Sequence, residues 1–360
     1  MADQGLLFIP DISGFTKFVN ETEIEHSRII IEELLENIIN SNKIGLQVSE
    51  VEGDAVLFYR FGERPSTEAL CKQVEDMFCN FQKQLKNYEG YRMCVCNACK
   101  NAINLSLKII THYGEFSSYN VKDFSKLIGK DVIVAHQLLK NSIDLHEYWL
   151  ATNSLMIKDK EADALPQWLQ WQQGMKEMEQ GHIDFAYCML TQLKENIKPD
   201  AQRDRTLGEN KIKVLSVSRT INAGLISVFS IIGNLSLRHQ WQDGVISVDK
   251  ISHPIYHLGI KFRIVTRKGS TTFYSSSFNN VDDVFCLSET DESKTQSFYI
   301  TLKELPGNTT SITLDLYLPD SWFRKSIFSL FLKKHVEKSM NTSLNNLQAL
   351  AQNAAKDYVL

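Results

Sequence analysis

Two consecutive α+β domains are what this sequence predicts, the second closing on a long helix. Three observations predict it. Up to residue 197, apolar runs of strand length alternate with segments of helical periodicity. Residues 198–210 are charge-rich, nearly devoid of apolar side chains, and carry one Pro and one Gly, the composition of a linker. From residue 211 the pattern restarts with strands rich in Thr, Ser, Tyr and Phe that alternate with period two, and an amphipathic helix over 322–356 ends it.

In the first domain, 1–197, residues 6–12 form a short Leu/Ile/Phe run that reads as a buried strand. Residues 21–40 carry apolar side chains at helical spacing, with Asn20 or Thr22 as N-cap. Residues 46–52 and 55–61 flank Gly53-Asp54 and read as a hairpin. A helix over 65–88 follows, then a strand over 105–112 ending at Tyr113-Gly114-Glu115, a helix over 131–141 and a strand over 147–152. The order βαββαβ, followed by αβ, fits a ferredoxin-like sandwich with additions. In the second domain, 211–360, a strand over 212–221 and a helix over 225–232 precede several strands between 245 and 318. A curved antiparallel sheet gripping the terminal helix would bury that helix's apolar stripe.

The chain of 360 residues has 43% apolar and 23% charged residues, a soluble composition. A net charge of −4 without a Lys/Arg-dense stripe argues against nucleic acid as a partner. The longest apolar stretch, 223–237, is interrupted by Gly224, Gly233 and Asn234, so no transmembrane segment is expected. The first residues lack the basic region of a signal peptide. Seven cysteines, an odd number, then point to a reducing, cytoplasmic setting rather than a disulfide framework.

Asp11 ends the first apolar run, and Asp54 sits 43 residues further on in a Glu-Gly-Asp turn. Two carboxylates at strand ends beside a Gly-containing loop suit a hard divalent cation and its accompanying phosphates. Phe8-Ile9-Pro10-Asp11-Ile12-Ser13-Gly14-Phe15-Thr16 and Gly53-Asp54-Ala55 resemble the metal-binding signature of class III adenylate and guanylate cyclases. The resemblance extends to residues 107–115 and 124–139. It implies a cyclase-type fold over 1–197, with Asp11, Asp54 and the Ile12 carbonyl holding Mg or Mn. It also implies a nucleoside triphosphate against the loop Ser13, Gly14, Phe15 and Thr16, and dimerisation, homo- or heteromeric, through this domain. Glu50 falls on the base-selecting position, where a carboxylate favours guanine.

The other half of that family's site is altered. The partner base-contacting position is Lys126, and the transition-state Asn and Arg fall on Ile133 and Gln137. Ile offers no hydrogen bond, and neutral Gln cannot offset charge on a phosphate as an arginine fork does. No catalytic residue is therefore assigned. The expectation is a regulatory, pseudoenzyme-like module that binds nucleotide and metal. The alternatives are one half of a heterodimeric cyclase, or a non-catalytic lipid-binding or interaction protein.

Cys94-Val95-Cys96-Asn97-Ala98-Cys99 places three thiols close together just before a strand, an array suited to Zn or an Fe–S cluster. Cys71, Cys79 and His112 are candidate fourth ligands. In the second domain, residues 217–223, 228–229 and 237–245 resemble the START-like superfamily of polyketide-cyclase and lipid-transfer domains. That likeness implies a helix-grip fold enclosing a hydrophobic small molecule or lipid, with Trp241, Phe262, Phe273 and Leu316 lining the cavity.

Overall fold

The computed structural model describes residues 3–91, 94, 96–122, 124–156, 165–178, 181–199, 210–249, 251–253, 255–281 and 284–357. The expected linker, 198–210, lies mostly outside them. Two compact units are present, one of Met1–Gly90 with Asn97–Asp200, the other of Ala201–Leu360 with the short stretch Tyr91–Cys96.

The first unit is built around β1 (Asp3–Ser13), which runs antiparallel to β3 (Ala55–Phe61) on one side and β4 (Ser106–Val121) on the other. With β2 (Gln47–Glu52), β6 (Tyr148–Thr152), β7 (Gln172–Met178) and β8 (Gly181–Met189) the sheet order is β2-β3-β1-β4-β6-β8-β7. Among the described strand pairs of this unit, only β4 and β6 run parallel. Leu6, Leu7, Phe8 and Ile9 are all buried, because both faces of the sheet are covered. Leu7 and Ile9 pack with Ile110, Leu150 and the helix α5 (Lys130–Leu138), which contributes Val132, Ala135 and Leu138. Ahead of α5 in the chain come α1 (Phe15–Glu21), α2 (Ile24–Asn40), α3 (Thr67–Tyr91) and α4 (Asn97–Asn101). α2 buries Ile30, Leu34 and Ile38, four residues apart on one face.

Two differences from the sequence reading concern strands and one a helix. β4 does not stop at Tyr113 but continues to Val121 and pairs with β5 (Phe124–Ile128). Gly114 makes room on this strand for Asp131, because a Cβ there would come within 2.3 Å of the Asp131 carboxyl carbon. β7 and β8 were not anticipated, and β7 (Gln-Gln-Gly-Met-Lys-Glu-Met) is an edge strand with no fully buried residue to mark it. The helix expected over 21–40 begins at Ile24 as α2, and a separate short helix, α1, precedes it and ends at Glu21.

The second unit is a seven-stranded, fully antiparallel sheet of order β10-β11-β12-β13-β14-β15-β9. Its strands are β9 (Lys211–Ile221), β10 (Val245–Asp249), β11 (Lys261–Thr266), β12 (Gly269–Val281), β13 (Val284–Asp291), β14 (Ser297–Leu305) and β15 (Thr309–Pro319). Two helices, α6 (Leu225–Gly233) and α7 (Arg238–Trp241), lie between β9 and β10 in sequence. The expected terminal helix is interrupted: α8 (Trp322–Ile327) gives way to a π-helical turn at Phe328–Leu332, and α9 (Lys333–Asp357) follows. Met340, Leu344, Leu347 and Ala351 of α9 recur at three- and four-residue spacing. They share a buried cluster with Phe262, Leu287, Leu302 and Leu314 of the sheet. Full burial of a leucine such as Leu347 contributes roughly 1.5–3 kcal/mol.

Candidate functional site

Asp11 lies within β1 opposite Ala55 of β3 and Lys108 of β4, so the register alone puts it beside the β2–β3 turn that holds Asp54. The Ile12 N–H donates to the Asp54 carbonyl at 2.9 Å, fastening that turn to β1. Lys108 Nζ is 3.6 Å from Asp11 Oδ1. Burial raises the Asp11 carboxyl to about 6, Lys108 works against that, and the Asp54 charge adds to it. Asp54 is also raised, chiefly by burial. The pair is thus a partly desolvated, hard-oxygen donor set that Lys108 alone of the described residues offsets with positive charge. That chemistry fits a divalent ion such as Mg or Mn.

Past Asp11 the chain turns through Ser13, which is buried, and Gly14, whose φ of +88° is a left-handed conformation suited to glycine. Phe15 and Thr16 open α1. A cleft of about 130 Å³ lined by Gly14, Lys17, Phe18, Thr22, Asn101 and Leu105 adjoins this loop.

Glu50 and Lys126, separated by 76 residues, form an ion pair in which the lysine ammonium donates to Glu50 Oε2. His136 of α5 flanks it, with Nε2 4.0 Å from Glu50 and Nδ1 3.9 Å from Glu52. Glu50 and Lys126 therefore satisfy each other. Ile133 and Gln137, four residues apart on α5, share its exposed face.

Cys94 and Cys96 precede α4 and Cys99 lies within it, so the array runs into a short helix before β4 is reached. Their sulfurs converge with His26 of α2, the ligand atoms of all four residues lying within 4.8 Å of one another. Cys99 Sγ is 3.6 Å from His26 Nδ1. The Glu23 carboxylate, just ahead of α2, accepts from the Asn97 and Ala98 N–H groups at 3.2 and 3.0 Å, which holds the start of α4 against the start of α2. The fourth member is thus His26, a residue the sequence reading missed, and Cys71, Cys79 and His112 stand outside the group. Cys71 is buried on α3, its thiol pushed up to about 12 by burial. Cys79 is likewise on α3, raised to about 11. His112 has Nδ1 2.8 Å from Thr152 Oγ1 and Nε2 3.0 Å from Asp131 Oδ1, tying β4 to β6 and α5. Burial lowers its pKa although Asp131 pulls the other way.

In the second unit, Trp241, Phe262, Phe273 and Leu316 all belong to one buried cluster. Within it sits a charge pair: Arg238 donates to both Glu289 oxygens, at 2.9 and 2.5 Å, and the Tyr256 hydroxyl donates to Glu289 at 2.6 Å. The Arg238 guanidinium also stacks over Trp241 and Phe262, 5.0 and 5.7 Å from their ring centres. The Arg238 Nε and Trp241 Nε1 donors are buried without a hydrogen-bond partner among the described residues.

Residues 31–148 match a family model described as a protein of unknown function (DUF2652). An uncharacterized protein of Mycobacterium tuberculosis is 33% identical over 121 residues, 34% of this chain. The match spans 56% of that relative's length, about half of it. Similar solved structures include the adenylyl cyclase CyaB from P. aeruginosa, at 16% identity over 52% of this chain and 95% of that one, with a TM-score of 0.36. The guanylate cyclase domain of RhGC from Catenaria anguillulae, in complex with GTP, is 15% identical over 52% of this chain and 96% of that one, again with a TM-score of 0.36.

Proposed function

We propose that the first unit binds a divalent cation together with a nucleoside triphosphate and acts as a regulatory module that lacks self-sufficient cyclase activity. The observation that carries this reading is the meeting of Asp11 and Asp54, two half-buried carboxylates with raised pKa values, at one strand register. Asp11, Asp54 and the Ile12 carbonyl would hold Mg or Mn, and the ion would supply positive charge for the phosphates. The loop from Ser13 to Thr16 would face those phosphates. Ile133 and Gln137 supply neither the hydrogen bond nor the charge that phosphate-ester closure requires. A partner chain contributing such groups is the alternative. Calorimetric titration of the full chain with nucleotide, with and without Mn²⁺, tests the reading. Metal-dependent binding that Asp54→Asn weakens at least tenfold supports it; equal affinity in wild type and variant overturns it.

The thiol cluster is proposed as a zinc site of the structural type, with three thiolates, one imidazole and no open position. Zinc–ligand bonds of about 2.3 Å (sulfur) and 2.0–2.1 Å (nitrogen) at the tetrahedral angle separate a sulfur from a nitrogen by about 3.6 Å. The Cys99–His26 spacing of 3.6 Å agrees with a single ion. Each thiol would release its proton to solvent on binding, so affinity would rise with pH. Elemental analysis of the purified chain should find about one zinc per molecule. Cys96→Ser should lose the metal and Cys71→Ser should keep it. Iron in place of zinc, or no metal in any preparation, defeats the assignment.

For the second unit the proposed role is binding of a hydrophobic molecule in a START-like, helix-grip frame. Support comes from the long α9 packed into the core of an antiparallel sheet and from two buried donors, Arg238 Nε and Trp241 Nε1, suited to a ligand's accepting oxygen. Native mass spectrometry should detect a bound lipid-like molecule. A bare chain, with no thermal shift from any apolar ligand, removes this role.

A further inference from the structure

The stretch from Trp322 to Leu332 departs from the rule that an amphipathic helix hides its apolar side. Trp322 is 81% exposed, Phe323 65%, and Leu330 and Phe331 77% each, with Ile327 and Leu332 exposed beside them. Phe328 alone of the large apolar residues here is buried, anchoring the turn to the core of the second unit. A π-helical turn at Phe328–Leu332 separates α8 from α9, and the stripe that α9 buries runs through Met340, Leu344 and Leu347. Contiguous exposed aromatic and aliphatic surface of this kind marks an interaction site.

Charge identifies the partner. The whole chain carries a net charge of −4, yet residues 321–336 hold no Asp or Glu and include Arg324, Lys325, Lys333 and Lys334. Lys325, Lys333 and Lys334 are exposed next to the apolar side chains. Trp and Phe at the tips, aliphatic residues between them and lysines at the flanks form the pattern of a segment lying in the interface of an anionic bilayer. No helix among the described residues is long and apolar enough to cross a membrane, so the contact is peripheral.

We propose that the exposed face of 322–334 docks the second unit onto a negatively charged lipid surface, with Trp322, Phe323, Leu330 and Phe331 entering the headgroup–acyl boundary and Lys325, Lys333 and Lys334 pairing with lipid phosphates or carboxylates. This stands independently of the nucleotide and zinc readings. The test is co-sedimentation of the full chain with vesicles of phosphatidylcholine alone or with added phosphatidylserine. Binding should require phosphatidylserine and weaken as salt rises, because the Debye length shortens to about 3 Å at 1 M. Leu330→Asp with Phe331→Asp should lower binding at least tenfold with an unchanged melting temperature, since neither side chain contributes to the core. Lys333→Glu with Lys334→Glu should remove the preference for anionic lipid. Absence of binding to phosphatidylserine vesicles at low salt overturns the proposal. So does concentration-dependent self-association that the Asp variants abolish while vesicle binding is never seen, which would assign the face to a second copy of the chain.

Discussion

Lys108 Nζ stands 3.6 Å from Asp11 Oδ1, on the neighbouring strand and at the paired register position. This lysine is the cation that the Asp11–Asp54 pair has when no metal is bound. It offsets only part of the burial cost, since the Asp11 carboxyl still rises to about 6. A divalent ion would compete with Lys108 for the same oxygen, and the first prediction rests on that competition.

For a carboxyl whose folded pKa lies above its unfolded value, the folded state holds the proton more tightly. Its stabilising effect is full below the unfolded value and is lost as pH rises through the folded one. For Asp11 the window runs from the ordinary 3.8 to about 6. The metal-free chain should lose up to about 3 kcal/mol across it. Asp54, shifted in the same direction, should add to the loss. Asp11→Asn should flatten this part of the profile and raise stability at pH 7, while Mn²⁺ should restore stability in wild type only. Thermal melts from pH 4 to 8, with and without Mn²⁺, measure this; identical pH profiles for wild type and variant would dissociate Asp11 from the effect.

Glu50 and Lys126, which the proposed nucleotide site would place against the base, form an ion pair. Wild-type affinity for GTP and ATP should then differ by no more than a few-fold. Lys126→Ala leaves the Glu50 carboxylate without that donor, able to accept from guanine, and should shift preference toward GTP by roughly tenfold, the effect of one hydrogen bond to a charged group. Competition binding with the two nucleotides reads the ratio. A strong wild-type preference, or no change in the variant, would mean that the base does not reach this pair.

Ile133 and Gln137 stand on the exposed face of α5, where substitution costs the core nothing. Ile133→Asn combined with Gln137→Arg should fold as wild type does and produce cyclic nucleotide where the parent yields none. Chromatographic assay of cyclic product with Mn²⁺ and GTP or ATP decides the point. A folded, nucleotide-binding but inactive double variant would place the deficit elsewhere, Lys126 first.

Arg238 and Glu289 are buried together, with 1% and 4% of their side chains exposed. Removing one partner strands the other: Glu289→Ala should cost about 3–5 kcal/mol. Replacing both, as Arg238→Met with Glu289→Leu, should recover much of that loss, because two apolar side chains need no counter-charge. Urea unfolding of the three proteins gives the comparison. Additive losses in the double variant would show that the pair is not coupled.

What the sequence determined by itself was whatever short-range periodicity and spacing encode. The strand at Asp11, the hairpin around Asp54, the helices α2, α3 and α5, the antiparallel character of the second unit and the approach of three cysteines were legible because each depends on residues a few positions apart. The tertiary structure decided the pairings across long separations. His26 joins Cys99 from 73 residues away, Lys126 meets Glu50 across 76, and Lys108 faces Asp11 through the β1–β4 register. Strand β7 escaped notice because an exposed edge strand carries little apolar alternation. The bare face of 322–332 escaped because apolar composition does not record which residues meet a core, and the packing of α9 and Phe328 leaves these outside it.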